Sequence, residues 1–280
     1  MVTTTPRRAI GDIGSVCRGA CPADAARWVT SLMTHLPECV RTRSLRSADR
    51  IWERAGARFR APGGAVISLP AGYTAGAREM YCRNVYLRTG LTMPAAGWVV
   101  DLGANHGLLA VWAAVTGAQV VAVEAQQGYG PAIRHLAEHN GVAARVHVEI
   151  ALASGVANSG AAAGVAADDL RWSATSRGGS SRPPDVSMGA LMSRYRMGRI
   201  GLLKMDIEGG EYAIFAPGED LSWLRQVDQL ALEVHPGFGN AAALADLLRD
   251  HGFTRDLRDN GGERVAADSG RLEYIYCSRP

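Results

Sequence analysis

From Trp98 onward, short apolar runs alternate with amphipathic ones, and this alternation constrains the fold more than any other feature. Trp98 to Leu102 is apolar except for Asp101, and a glycine-rich turn follows it. The segment HGLLAVWAAVTG then has helical spacing as far as Gly117, which can supply a left-handed cap. Gln119 to Glu124 reads as a second strand. YGPAIRHLAEHNG reads as a helix, with Pro131 in its first turn and Gly141 at its end, and Arg145 to Leu152 as a third strand. Strands and helices alternating at this spacing predict a doubly wound, mainly parallel α/β sheet with right-handed crossovers.

Ala153 to Pro184, rich in Gly, Ser and Ala, interrupts the pattern and reads as a long surface excursion. Order resumes with a helix over Met188 to Tyr195, a strand over Ile200 to Ile207 and a helix over Gly209 to Ala216. A fifth strand covers Gln229 to His235, and a helix capped by Asn240 follows. Phe253 to Arg258 and Leu272 to Cys277 flank an Asn-Gly-Gly turn and are expected to pair as a terminal antiparallel hairpin of edge strands. Residues 91–280 therefore form one Rossmann-like domain. Residues 1–90 form an N-terminal α+β cap facing the substrate, with helices over Ala23 to Leu36 and Arg78 to Arg88 and a strand-turn-strand over Ala57 to Leu69.

The 280 residues, 47% hydrophobic and 20% charged, supply ample core and exclude global disorder. No apolar run approaches the roughly 20 residues needed to cross a bilayer, and MVTTTPRRAIGDIG lacks the apolar stretch of a secretory signal. A cytoplasmic protein without a membrane partner is expected, and its five scattered cysteines are expected to be reduced thiols. Cys17, Cys21 and Cys39 match no common zinc spacing. A net charge of +3 is too mild to imply nucleic acid, so a small molecule is the expected partner, with a homodimer compatible with the reading.

Three segments carry the chemistry. In VVDLGANHG, Asp101, Gly103, Asn105 and Gly107 lie between a strand and a helix, where backbone N–H groups can receive a carboxylate. Asn105 stands where a dinucleotide fingerprint needs its second glycine, and Asp101 would repel a pyrophosphate but attract an ammonium. An amino-acid head group such as that of S-adenosylmethionine fits. Glu124, 23 residues after Asp101 at the next strand end, can accept both ribose hydroxyls.

The second segment is GLLKMDIEGGEYAIF, which holds the chain's one lysine. Lys204 and Asp206 share a strand face, Asp206 lies at the carboxyl end, and Glu208 and Glu211 follow in the turn and first helical turn. For Glu211, complementing the helix dipole is the plain structural role. The third segment, LALEVHP, puts Glu233 and His235 on one face, with His235 at the strand end. A histidine with its ordinary pKa near ~6.5 suits general base catalysis at neutral pH. His106 sits inside the first turn, whereas His135, His139 and His251 read as helix-surface residues.

Together VVDLGANHG, VVAVEAQ, LLKMDIEGGEYAIF and LALEVHP resemble the FkbM family of S-adenosylmethionine-dependent methyltransferases, over about Gly97 to Phe238. The resemblance implies a class I Rossmann-like fold and S-adenosylmethionine as donor, with S-adenosylhomocysteine as product. It also implies O-methylation of natural products, sugars or lipids, as in secondary-metabolite tailoring. His106 departs from the aliphatic residue usual at its position, and the Ala/Gly-rich stretch after the third strand leaves the adenine contacts to Ala151 and Asp168, with Trp172 as a pocket-lining candidate. Methyl transfer is an in-line displacement, so His235 is expected to be the base and Asp206 to orient it or the acceptor hydroxyl, with Lys204 and Glu208 beside them.

A metal is not expected, although Asp206, Glu208, Glu233 and His235 are ligands enough for Mg²⁺. An RNA ribose 2′-O-methyltransferase is the enzyme alternative, weakened by the absence of a second lysine, and a non-catalytic cofactor-binding protein is the other. Trp52, Tyr73, Tyr81 and Tyr86 either line the acceptor site or form cap core.

Overall fold

The computed structural model describes residues 6–61, 64–155 and 182–280. Four helices open the chain, α1 (Pro6–Gly19), α2 (Pro22–Thr34), α3 (Leu36–Thr42) and α4 (Arg46–Ala55), followed by an antiparallel pair, β1 (Ala57–Arg60) and β2 (Val66–Leu69). Strand β3 (Trp98–Leu102) leads to α5 (Leu108–Thr116), β4 (Gln119–Glu124), α6 (Tyr129–His139) and β5 (Val146–Ile150). A short parallel pair, β6 (Leu152–Ala153) and β7 (Asp185–Val186), precedes β8 (Ile200–Met205), β9 (Gln229–Glu233), β10 (Thr254–Arg258) and β11 (Tyr274–Ser278). The main sheet runs β10-β11-β9-β8-β3-β4-β5. Its β9-β8-β3-β4-β5 portion is parallel and β11 is antiparallel to both its neighbours. This is the doubly wound, mainly parallel α/β sheet expected for a Rossmann-like methyltransferase fold.

Strand residues alternate between two cores, as the two-residue repeat requires. Val100, Val123, Leu203, Leu232 and Ile275 pack with the helices Met188–Arg194 and Ala241–Asp250. On the other face, Val99, Ala122, Leu202, Ala231 and Tyr276 pack with α5, α6 and the N-terminal elements. Helix α5 is apolar all round because it lies inside this second core, where Tyr81 donates its hydroxyl to the Leu108 carbonyl at 2.7 Å. Trp28, Trp52, Phe59, Tyr81 and Trp112 form one continuous aromatic chain. Trp52 and Tyr81 are thus core, and Tyr73 packs at a tilt against His135 on α6.

Several elements differ from expectation. The third strand stops at Ile150, and Leu152 and Ala153 turn away to pair with Asp185 and Val186. The helix expected over Arg78 to Arg88 is a single wide turn, Arg78–Cys82, with Asn84 at φ 51 soon after it. The helix expected over Gly209 to Ala216 shrinks to Glu211–Ile214. Of the expected terminal pair only β10 lies at the sheet edge, since β11 is inserted between it and β9. The β10–β11 link is a long loop pinned by Asp259, which accepts from Glu263 N and Gly262 N, instead of a tight turn. Helices α1, α3 and α4 carry no expectation from the sequence. Most of the Ala153 to Pro184 excursion, with Asp168 and Trp172, lies outside the described residues. Among the described residues no helix is long and apolar enough to cross a membrane.

Candidate active site

The turn after β3 is shaped first by protein contacts. Gly103 has φ 76, and a Cβ there would lie 1.7 Å from the Asp206 carbonyl oxygen, so the two expected site segments touch through this glycine. Asn105 also adopts a left-handed conformation, φ 50, and its N–H donates to Glu124 Oε2 at 2.7 Å. Gln126 N donates to Glu124 Oε1 at 2.8 Å, which aims the carboxylate from the end of β4 across the turn. Burial pushes the Glu124 pKa up, against these two hydrogen bonds.

A cavity of about 140 Å³ opens beside this turn, lined on one side by Gly103, Asn105, Glu124, Gln126 and Ala151 and on the other by Asp206, Ile207 and Glu208. Gly107 and Asp101 lie behind the wall. Gly107 approaches Ile133, where an added Cβ would meet the side chain at 2.9 Å. Asp101, 1% exposed, faces inward to Lys204, which is 3% exposed, with Nζ to Oδ1 at 3.1 Å. The lysine also donates to the Gly103 carbonyl at 2.7 Å and lies 3.9 Å from Asp206 Oδ2. Burial disfavours both charges, yet the Asp101 and Asp206 carboxylates outweigh it at Lys204 and raise its pKa. The chain's one lysine is the internal counter-ion of this site.

His235 follows β9. Its N–H and Nδ1 meet Glu211 Oε1 at 2.9 and 3.1 Å, and Nε2 faces Glu208 Oε2 at 3.5 Å and Asp206 Oδ1 at 3.9 Å. Burial lowers the pKa of the imidazole, but the hydrogen bond and charge of Glu211, with Asp206 and Glu208 behind them, raise it to about 9. These surroundings favour the imidazolium over the ordinary imidazole expected from sequence. Glu211 is fully buried and serves as the anchor of His235 more than as a helix-dipole acid. Glu233 points to the Tyr86 hydroxyl at 2.9 Å, and burial and the Asp206 charge push it up to about 7.

The structure thus unites Lys204, Asp206, Glu208, Glu233 and His235 at one end of the sheet, with Gly103, Asn105, Glu124 and Ala151 along the adjoining cavity. Asp206, Glu208 and His235 bring ligand-type atoms within 4.8 Å of one another. Glu233 is engaged by Tyr86 instead of joining them as a fourth. His106 packs edge-on against Tyr129 at 4.7 Å, and burial lowers its pKa. Of the four aromatic candidates, Tyr86 alone reaches this cluster, donating to Asp206 Oδ2 at 2.8 Å. The role of Glu211 was legible only as a second acid three residues after Glu208.

Residues 101–255 match the methyltransferase FkbM domain. The 31-O-demethyl-FK506 methyltransferase FkbM of Streptomyces tacrolimicus is 28% identical over 209 residues, covering 63% of this chain and 80% of that protein. The AMB antimetabolite synthetase AmbE of Pseudomonas aeruginosa is 29% identical over 227 residues, covering 65% of this chain and 11% of the synthetase. The solved O-methyltransferase from Bacillus cereus aligns over 66% of this chain and 75% of its own, at 13% identity and a TM-score of 0.39, too low to add to the assignment. The matched domain covers more than half of the sequence and contains both glycine-linked segments of the site, and the chain belongs to the FkbM methyltransferase family.

Proposed function

We propose that this methyltransferase moves the methyl group of S-adenosylmethionine to a hydroxyl of a small metabolite, leaving S-adenosylhomocysteine. The observation that carries the reading is the single cavity joining Glu124 and the Gly103 turn to Asp206 and Glu208, with His235 beside them. Each Glu124 oxygen spends one lone pair on a backbone N–H and keeps another for a ribose hydroxyl. Ala151, buried against β4, offers an apolar wall for the adenine. The buried Asp101–Lys204 pair fixes the turn from behind, and the donor's ammonium and carboxylate fall to the turn backbone and to Asp206.

The donor supplies an electrophilic methyl carbon, and the protein has to hold the acceptor oxygen in line with it and take the acceptor's proton. Positioning of this kind is worth ~7 to 11 kcal/mol of barrier. Asp206 Oδ1 and His235 Nε2 leave a 3.9 Å gap in which an acceptor hydroxyl meets both. In this reading His235 is the base in its neutral form, so turnover rises with pH toward 9. The name of the Streptomyces relative describes O-methylation, which supports a hydroxyl acceptor.

The test is calorimetric titration of the full chain with S-adenosylhomocysteine, followed by a search for ether-linked methyl groups in a panel of hydroxylated metabolites. Glu124→Ala and the cavity-filling Ala151→Phe are expected to weaken binding at least tenfold while remaining folded. A folded wild type that does not bind overturns the proposal.

A further inference from the structure

Asp206 has two carboxylate oxygens with different surroundings. Oδ2 faces the interior, 2.8 Å from the Tyr86 hydroxyl and 3.9 Å from Lys204 Nζ, whereas Oδ1 faces His235 Nε2. Tyr86 lies outside the matched domain, which begins at residue 101. The tyrosine is held rigidly: it is 7% exposed, Lys204 Nζ lies 5.2 Å from its ring centre, Tyr274 packs edge-on at 6.3 Å, and the Tyr276 hydroxyl donates to the Val85 carbonyl.

We infer that Tyr86 is a positioning residue of the methyl-transfer site, binding Asp206 Oδ2 from below so that Oδ1 is presented to His235 and the acceptor. The inference rests on the proposed roles of Asp206 and His235. A tyrosine hydroxyl has one hydrogen, yet Asp206 Oδ2 and Glu233 Oε2 both lie within hydrogen-bond distance of it, at 2.8 and 2.9 Å. The hydroxyl is the donor toward both carboxylates, and the shorter contact, to Asp206, points that hydrogen at Oδ2 and leaves Oδ1 free. Every charged group facing Asp206 has a part in this: Lys204 and Tyr86 hold the inner oxygen, His235 meets the outer one, Asp101 balances Lys204, Glu208 flanks His235, and Glu233 takes the longer contact of the Tyr86 hydroxyl.

The test follows the His235 imidazole through a pH titration by NMR in the full chain, which requires no acceptor. In Tyr86→Phe the ring stays and the hydroxyl goes. The released carboxylate turns toward the imidazolium, and the His235 midpoint rises by about half a unit or more. In Asp206→Asn the midpoint falls. An unchanged cooperative thermal unfolding transition shows that each variant is folded. A fall in Asp206→Asn with no change in Tyr86→Phe overturns the inference and leaves the proposed catalytic pair standing. No change in either variant overturns the pair and the inference with it. Should Tyr86→Phe not fold, the Tyr86 Cζ resonance of the wild type is compared with that of Asp206→Asn. Displacement is expected, and an unmoved resonance overturns the inference.

Discussion

Replacing Glu211 by Gln tests the electrostatics of the site most directly, because the side chain is fully buried and its main polar contacts can be retraced atom by atom. Oε2 accepts from Gly209 N at 2.9 Å, and Oε1 accepts from His235 N at 2.9 Å and lies 3.1 Å from Nδ1. An amide of the same shape keeps its one oxygen for one of the two backbone N–H groups, turns an NH2 toward the other, and removes the charge. Burial alone would push His235 below 6.5, whereas the Glu211 bond and charge lead the groups that raise it to about 9. At 1.36 kcal/mol per unit, that rise is about 3 kcal/mol in favour of the imidazolium. Asp206 and Glu208 remain in Glu211→Gln, so the midpoint is expected to fall by at least about one unit without losing all upward pressure.

The assay is the chemical shift of the imidazole ring followed from acid to alkaline pH in both proteins. A wild-type midpoint near 6.5, or an unmoved one in Glu211→Gln, refutes the assigned hydrogen bond. Stability gives a second readout with a definite sign. A histidine raised from 6.5 to about 9 contributes stability that is fully present below pH 6.5 and is lost as pH rises through 9. The stability gap between wild type and Glu211→Gln is therefore widest below pH 6.5 and narrows toward pH 9. Glu233, raised from 4.5 to about 7, contributes in the same sense over a lower window, so the wild-type curve alone mixes the two and the difference between proteins isolates His235.

Two further substitutions test the frame behind the cavity. Lys204→Met leaves Asp101 buried without its counter-ion and is expected to cost about 3–5 kcal/mol in denaturant unfolding, and a loss under about 1 kcal/mol would show that the pair is not the internal clamp. Gly103→Ala combines a strained φ of 76 with a Cβ 1.7 Å from the Asp206 carbonyl, so it is expected to lower stability by about 2 kcal/mol or more and S-adenosylhomocysteine affinity at least tenfold. Wild-type behaviour would refute the close contact between the two segments.

The regular half of the chain was legible because its signals are local. Trp98 to Leu102, Gln119 to Glu124 and Asn240 with its helix all announce themselves within a few residues, and Asn240 does accept from Ala243 N as a cap. What escaped depends on distant partners. Arg78 to Arg88 has helical composition, but Tyr86 is drawn toward Asp206 and Glu233, which lie 120 and 147 residues away, and the helix ends at Cys82. Asp101 reads from sequence as an acid awaiting a ligand's amine, because the lysine that faces it comes 103 residues later. His235 reads as an ordinary imidazole for the same reason, since Glu211 reaches it only after the crossover from β8 has laid β9 beside it.

The polar cluster follows from the phase of the strands. On β3, β4, β8 and β9, Val99, Ala122, Leu202 and Ala231 pack toward the N-terminal elements, and stepping two residues toward the carboxyl end reaches Asp101, Glu124, Lys204 and Glu233, with Asp206 one step further. Each of these strands spends its apolar residues on its first turns and changes to a charged one where the sheet ends, all on the same face. That face cannot be closed by α5 and α6 alone, since Tyr86, from before β3, supplies the hydroxyl that Asp206 and Glu233 share. The matched residues 101–255 contain both glycine-linked segments and the Asp101–Lys204 pair, whereas the donor to the inner oxygen of Asp206 comes from outside them. The segment that precedes the family domain therefore reaches the proposed active site through Tyr86.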